Sequence, residues 1–183
     1  MMEMFDFSKR LAYGLAAEKD IANIFRLKKY TVIEFQKDIN SPNVGGPKII
    51  VNNESFACPD LLIHSYAVTS FVDVKRSSTC RWYRNDQVWN ISMNYKQYLG
   101  YCRLNDKLKR QKNLKSAFRM AIAWCIDGGI DKASGLESPS GKFFADIDTL
   151  ERISKRVNKI NNKEELVFWN VDNLEDLYTL KLK

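Results

Sequence analysis

The 183-residue sequence predicts an α/β fold in which helices flank a mixed central sheet. The prediction rests on the order of its segments. A helix-forming segment is followed by three β-rich segments, then by a second helical segment and a long apolar strand, giving the order αβββαβ. Helices that alternate with strands in this way cover both faces of a sheet. A chain of this length buries roughly 70% of its unfolded surface, which is enough for one core.

The first helix is predicted over residues 8–28, "SKRLAYGLAAEKDIANIFRLK", which are rich in strong helix formers. Leu11, Leu15 and Phe25 belong to an apolar stripe at helical spacing. Glu18 takes the missing position of that stripe. It lies either at a solvated edge of the helix or against a polar site at the border of the core.

Three strands are predicted next. Residues 30–36, "YTVIEFQ", are rich in β-branched and aromatic types. After the loop "NSPNVGGP", residues 48–64 predict a hairpin that turns at Asn52-Asn53. Residues 69–76, "TSFVDVKR", predict the third strand.

The second helix is predicted over residues 88–104, and the apolar run at 116–126 predicts a strand covered on both faces. Residues 1–126 would then form the core of the domain. Residues 127–183 would form a C-terminal appendage packed on the same domain. The appendage is predicted as a Gly- and Ser-rich loop, a helix from about Asp148 to Ile160, the strand "ELVFWNV" and a short closing helix in "NLEDLY".

Composition excludes several classes of protein. No segment approaches the ~20 consecutive apolar residues of a membrane helix. The N-terminus lacks the basic and apolar regions of a signal peptide, so we expect a cytoplasmic protein with no membrane partner. The four cysteines, Cys58, Cys80, Cys102 and Cys125, contain no CxxC pair and accompany a single histidine. We therefore expect free, mostly buried thiols rather than a zinc site.

The formal net charge is +7. This charge favours either solubility alone or an anionic partner. Basic residues are dense from Arg103 to Arg119, and Arg81 and Arg84 are interleaved with aromatic residues. Such mixtures suit contact with phosphates and bases, although a run of charge is often only a solvated surface.

Two carboxylates and a lysine interrupt the predicted strands. Side chains alternate along a strand, so Asp73 and Lys75 of "FVDVK" point to the same face. Asp60 begins the preceding strand, and pairing of the two strands would bring it close to Asp73. Two neighbouring buried carboxylates repel unless a cation lies between them. A pair of oxygen ligands suits a hard ion such as Mg²⁺ or Mn²⁺.

Pro59-Asp60 and Asp73-Val74-Lys75 resemble the signature of the PD-(D/E)XK nuclease superfamily, with Asp as the middle acid. Glu18 matches the acid that the first helix of the family often carries. The resemblance covers about residues 10–126 and is most similar to the branch of small archaeal Holliday-junction resolvases. It implies a restriction-endonuclease-like αβββαβ core.

The resemblance also implies Mg²⁺- or Mn²⁺-dependent hydrolysis of phosphodiester bonds. Asp60, Asp73 and the backbone carbonyl of Val74 would hold one ion, and Glu18 would hold it through water or help to bind a second. Lys75 would orient the attacking water or stabilise charge on the phosphate. The substrate would be nucleic acid, DNA more than RNA.

Four further residues are implied in nucleic-acid binding. Arg76, Arg81 and Arg84 would hold the backbone of the strand, unless they are simply solvated. Gln97 matches a glutamine that many members carry on the helix after the third strand. Two alternatives stay open: a junction- or flap-specific nuclease acting as a homodimer, and a non-catalytic nucleic-acid-binding module.

Overall fold

The computed structural model describes residues 2–35, 47–66, 68–110, 117–153, 155–160 and 164–181. The helices are α1 (Met2–Leu27), α2 (Tyr95–Lys109) and α3 (Ile147–Arg152), with one 3-10 turn at Val171–Asn173. The strands are β1 (Thr31–Glu34), β2 (Lys48–Val51), β3 (Glu54–Ala57), β4 (Leu61–His64), β5 (Val68–Ser77), β6 (Arg81–Tyr83), β7 (Val88–Asn94), β8 (Ala117–Ile126), β9 (Gly129–Ile130), β10 (Glu137–Ser138), β11 (Gly141–Asp146), β12 (Lys155–Ile160), β13 (Glu164–Asn170) and β14 (Glu175–Asp176).

The main sheet has six strands in the order β1-β4-β5-β8-β11-β14. The pair β5–β8 is parallel, whereas β1–β4, β4–β5, β8–β11 and β11–β14 are antiparallel. The sheet is therefore mixed, as the sequence predicts. Strands β5 and β8 are almost entirely buried, because apolar residues cover both of their faces.

Two apolar cores lie on opposite faces of the main sheet. On one face α1 packs against residues that include Val72, Val74 and Ala123. On the other face α2 packs against residues that include Phe71 and Trp124. Alternation along β5 therefore sends Val72 and Val74 toward α1, and Asp73 and Lys75 toward α2.

A second sheet of four strands, in the order β12-β13-β7-β6, covers the α2 side. The helix predicted over 88–104 is wrong in its first half, because residues 88–94 form β7. Ile91 and Met93 are buried and their neighbours are half-buried, which is the two-residue period of a strand. The helix begins after Asn94, whose side chain accepts a hydrogen bond from the Gln97 amide at 3.1 Å.

Two other helix predictions in the C-terminal part are wrong. The helix predicted from Asp148 to Ile160 ends at Arg152, and residues 155–160 form β12. β12 pairs with β13 along its whole length, and this ladder outweighs local helix propensity. The closing helix predicted in "NLEDLY" is a short strand, β14, that follows the 3-10 turn.

The hairpin predicted over residues 48–64 is correct in its turn but shorter than predicted: β2 and β3 form it over residues 48–57, and residues 61–64 are β4 of the main sheet. Asn52 and Asn53 have φ angles of 49° and 62°, the left-handed conformation that a two-residue turn between paired strands requires. Most of the predicted loop "NSPNVGGP" lies outside the described residues. The division of the chain at residue 126 stays a prediction, although β11 extends the main sheet and β13 pairs with β7.

The four cysteines are free thiols, as predicted, and Cys80 and Cys125 are buried. Within the described part of the chain, no helix is long and apolar enough to cross a membrane.

Candidate active site

The register of β4 and β5 brings Asp60 and Asp73 together. Leu61 pairs with Val72, so Asp60, which precedes β4, lies beside Asp73. The two residues are 3% and 4% exposed. The sequence predicted this proximity from the assumption that the two strands pair, and the observed ladder confirms that pairing.

Val74 links the two carboxylates through its backbone. Its N–H donates to Asp60 Oδ2 at 2.7 Å. The N–H and C=O of one residue in an extended strand point to the same side of the strand. The Val74 carbonyl therefore also faces the edge of β5 from which Asp60 approaches.

Asp73 is held by side chains from β5 and α2. The Tyr101 hydroxyl donates to Asp73 Oδ1 at 2.6 Å, and Gln97 Nε2 donates to the Tyr101 oxygen at 2.9 Å. The Lys75 ammonium lies 2.7 Å from Asp73 Oδ2 but outside hydrogen-bonding geometry. Oδ2 is thus a buried acceptor that receives no hydrogen bond from the described residues.

Burial raises the pKa of Asp73, and the neighbouring charge of Asp60 raises it further. The Lys75 ammonium and the Tyr101 hydroxyl act in the opposite direction, but burial prevails. Burial, followed by the charge of Asp73, also raises the pKa of Tyr101, so its hydroxyl remains a proton donor. A cation beside the two carboxylates would favour their ionised forms.

Tyr101 is the residue of this site that sequence reasoning did not assign. Its only signal in the sequence is that Asn90, Asn94, Gln97 and Tyr101 form a polar stripe on the helix predicted over residues 88–104. The structure separates that stripe into a cap at Asn94 and a hydrogen-bonded pair, Gln97 and Tyr101, directed at Asp73.

An open cleft of about 470 Å³ gives access to the carboxylates. Asp60, Asp73, Lys75, Gln97 and Tyr101 line one side of it. The hairpin β2–β3 lines the other side.

Glu18 belongs to α1, which lies on the opposite side of the main sheet from α2. It is half-buried on α1, which packs on the face opposite to Asp73. The described residues contain no group of three His, Cys, Asp or Glu side chains placed to hold a metal ion. The structure thus brings together Asp60, Asp73 and Lys75 but does not bring Glu18 into a three-acid group with them.

The two carboxylates fit a hard divalent cation. The donor set contains only oxygen, and the Val74 carbonyl faces the same edge of β5. Asp73 Oδ2 receives no hydrogen bond from the described residues, although it forms an ion pair with the Lys75 ammonium. The residues that would hold the ion are therefore Asp60, Asp73 and Val74.

The predicted basic residues lie in different surroundings. Arg76 donates to Asp127 Oδ1 at 3.0 Å and to the Tyr13 carbonyl at 3.1 Å, and it lies over the Tyr13 ring. This network ties β5 to α1. Arg81 and Arg84 are exposed on or beside β6.

Part of the basic run from Arg103 to Arg119 is neutralised by acids. Lys107 pairs with Glu54, Lys109 with Asp148, and Arg119 with Asp146. These ion pairs favour a structural role for this part of the run.

A Holliday junction resolvase from the archaeon Archaeoglobus fulgidus, Hjc, superposes on the chain with a TM-score of 0.51 at 8% identity, covering 90% of this chain and 97% of that chain. The chain has the fold of this resolvase. The restriction-endonuclease-like fold predicted from the sequence is therefore confirmed. D212, a nuclease from a fusselovirus, superposes with a TM-score of 0.43 at 9% identity, covering 90% of this chain and 87% of that chain. No family model and no curated protein matches the sequence.

Proposed function

We propose that this chain is a Mg²⁺- or Mn²⁺-dependent nuclease that hydrolyses phosphodiester bonds in nucleic acid, DNA in preference to RNA. The observation that carries the proposal is the buried pair Asp60 and Asp73, joined through the Val74 amide and open to a cleft beside Lys75. Buried carboxylates are costly to desolvate, and a metal site offsets that cost.

Asp60, Asp73 and the Val74 carbonyl hold the cation. When bound, a divalent ion polarises the phosphate and lowers the pKa of a water molecule. In the reaction a water oxygen bonds to phosphorus, and the bond from phosphorus to the leaving oxygen breaks. The leaving oxygen takes up a proton, and the water loses one.

Lys75 acts on the reacting phosphate or water with its positive charge. Its ammonium is partly exposed to the cleft and is held beside Asp73 by the ion pair. A preorganised donor of this kind stabilises charge that grows on the phosphate oxygens. Glu18 belongs to the proposal as a more distant acid that acts through water.

Arg76, Arg81, Arg84 and Gln97 complete the nucleic-acid-binding residues of the proposal. The network of Arg76 with Asp127 competes with any phosphate contact that Arg76 makes. Gln97 reaches the site by way of Tyr101.

The experiment is a cleavage panel of single-stranded, duplex, flapped and four-way-junction DNA together with RNA, each with Mg²⁺, Mn²⁺ or chelator. We expect metal-dependent cleavage by the wild-type chain and none by Asp73→Asn. Asp106→Asn, an exposed acid on α2, is the matched control and should cleave normally. Absence of cleavage from every substrate would favour the non-catalytic binding module.

The second candidate is a junction-specific resolvase that acts as a homodimer. It is favoured by the fold shared with a Holliday junction resolvase. Preferential cleavage of the four-way junction, by a protein that sediments as a dimer, would support it. Equal cleavage of a linear duplex would contradict it.

A further inference from the structure

The outward face of the second sheet carries basic and amide side chains. We call it the outer sheet face; it comprises Arg81, Tyr83, Asn90, Ser92, Arg156, Asn158 and Phe168. The register aligns these residues across four strands, because Arg81 pairs with Asn90, and Arg156 pairs with Phe168. Two of the strands, β12 and β13, come from the C-terminal segment whose function the sequence did not indicate.

Aromatic rings hold the two guanidinium groups of this face. Arg81 lies 5.6 Å from the centre of the Phe168 ring, and Arg156 lies 4.0 Å from that of Tyr83. Phe168 is only 6% exposed, so it supports an arginine and offers no surface for stacking bases. A guanidinium that lies over an aromatic ring loses less conformational freedom when its N–H groups bind a phosphate.

The outer sheet face is continuous with the candidate active site. Lys75 lines the cleft that holds the carboxylates and also lines a second cleft, of about 340 Å³. Arg81 and Asn90 line this second cleft and also a groove of about 120 Å³ that contains Arg156. Shared residues thus connect Lys75 to Arg156 through adjoining depressions.

The charge of the face suits an anion, although the buried acid Asp131 also lines the cleft between Lys75 and Arg81. Among its outward positions whose side chains the structure describes, none is acidic. Asp86, in the turn between β6 and β7, forms an ion pair with Arg156 at the margin of the face. This acid competes with any phosphate for the same guanidinium.

We propose that the outer sheet face is a track for the phosphodiester backbone of the nucleic-acid substrate, running from Lys75 past Arg81 to Arg156. This inference rests on the proposed nuclease function and deepens it. It assigns the C-terminal strands β12 and β13 to substrate binding. The track recognises phosphates through charge and amide donors, so it does not select a base sequence.

The test measures binding of fluorescent DNA and RNA oligonucleotides by anisotropy, in chelator, across a series of salt concentrations. Arg81→Gln and Arg156→Gln should each weaken binding about 3- to 10-fold. Each should also reduce the slope of log K against log salt by about one unit, since one phosphate contact is lost. Arg152→Gln, which removes the same charge from α3, is the matched control and should leave the slope unchanged.

Asp86→Asn should have the opposite effect on nucleic-acid affinity. It frees Arg156 from its acid, so binding should tighten and the salt slope should steepen. A purely structural role for the Asp86–Arg156 pair predicts a loss of thermal stability with unchanged binding, and that result would overturn the track. Unchanged slopes in Arg81→Gln and Arg156→Gln, with normal melting temperatures, would also overturn it.

The binding assay separates this inference from the nuclease proposal. Cleavage of nucleic acid, with no effect of Arg81→Gln or Arg156→Gln on binding, would support the proposed active site and contradict the track. Binding that depends on these arginines, with no cleavage of any substrate, would support the track as a binding surface and contradict the nuclease function.

Discussion

Asp73 is the residue on which the site depends. Its carboxylate is buried, one oxygen accepts from the Tyr101 hydroxyl, and the other lies beside the Lys75 ammonium. A buried carboxylate with a donor and a cation is tolerated, whereas the same group without them is strongly destabilising. The contacts of Asp73 therefore offset the cost of its burial and, under the proposed function, would also orient it for a metal ion; single substitutions can separate the two effects.

Tyr101→Phe should lower metal affinity or turnover about 10-fold while the fold is retained. The change removes only the hydroxyl that orients Asp73, and loss of such a supporting hydrogen bond costs about 10- to 100-fold. Calorimetric titration with Mn²⁺ and single-turnover cleavage measure the effect. Tyr98→Phe, on the same helix, removes a hydroxyl that contacts Lys155 and should leave both values unchanged. Equal effects of the two substitutions would contradict a specific role for Tyr101.

Gln97 should act through Tyr101. Its side chain donates to the Tyr101 oxygen at 2.9 Å, and Tyr101 in turn donates to Asp73. Gln97→Ala should slow turnover, but in a Tyr101→Phe background the same change should have little further effect. A double-mutant cycle of cleavage rates measures this coupling. Additive effects would instead assign Gln97 a direct contact with nucleic acid.

Elements differ in how far their sequence predicts them. The alternation in β5 and the turn at Asn52-Asn53 could be predicted, because these signals are local. The second sheet was missed, since "VWNISMN" resembles the start of a helix until β13 pairs with it. Pairing between residues about 75 positions apart is a tertiary effect that no local pattern carries.

The network of Arg76, Asp127 and Tyr13, which ties β5 to α1, should contribute to stability in a pH-dependent way. Burial would raise the pKa of Asp127, but hydrogen bonds from Tyr13 and Arg76 outweigh it and lower that pKa. A lowered folded-state pKa stabilises the protein at pH values above the unfolded pKa of ~3.9, and the contribution is lost as pH falls through the folded pKa. Asp127→Asn should therefore cost about 1 kcal/mol at neutral pH, the scale of a partly exposed ion pair.

Thermal unfolding of Asp127→Asn and wild type from pH 7 to pH 3 measures this contribution. The gap in melting temperature should be constant down to about pH 4 and should shrink at lower pH. A gap that persists unchanged at pH 3 would mean that the network does not depend on the charge of Asp127.

In the whole molecule, the sequence predicts the centre of the main sheet but not the second sheet that packs on its α2 side. Strands β1, β4, β5 and β8 and the pair Asp60 and Asp73 follow from sequence patterns within residues 30–126, whereas β11 and β14 at one edge of the main sheet were not predicted. Tyr101 and the outer sheet face arise only when α2, β7 and β13 meet in space. As a result, the acids could be predicted from the sequence, whereas Tyr101, which orients Asp73, and the outer sheet face could not.

If the cleft of Asp60, Asp73 and Lys75 hydrolyses phosphodiester bonds, the rate should depend on the charge of Lys75. The most direct measurement is single-turnover cleavage of DNA by Lys75→Met at saturating protein with Mg²⁺ or Mn²⁺, alongside binding of the same DNA. Methionine roughly matches the lysine stem in volume, so the strand should stay packed. We predict a rate lowered about a hundredfold or more with nearly unchanged binding, because a preorganised charge at the reacting phosphate is lost. Cleavage at the wild-type rate would contradict the nuclease function proposed for this cleft.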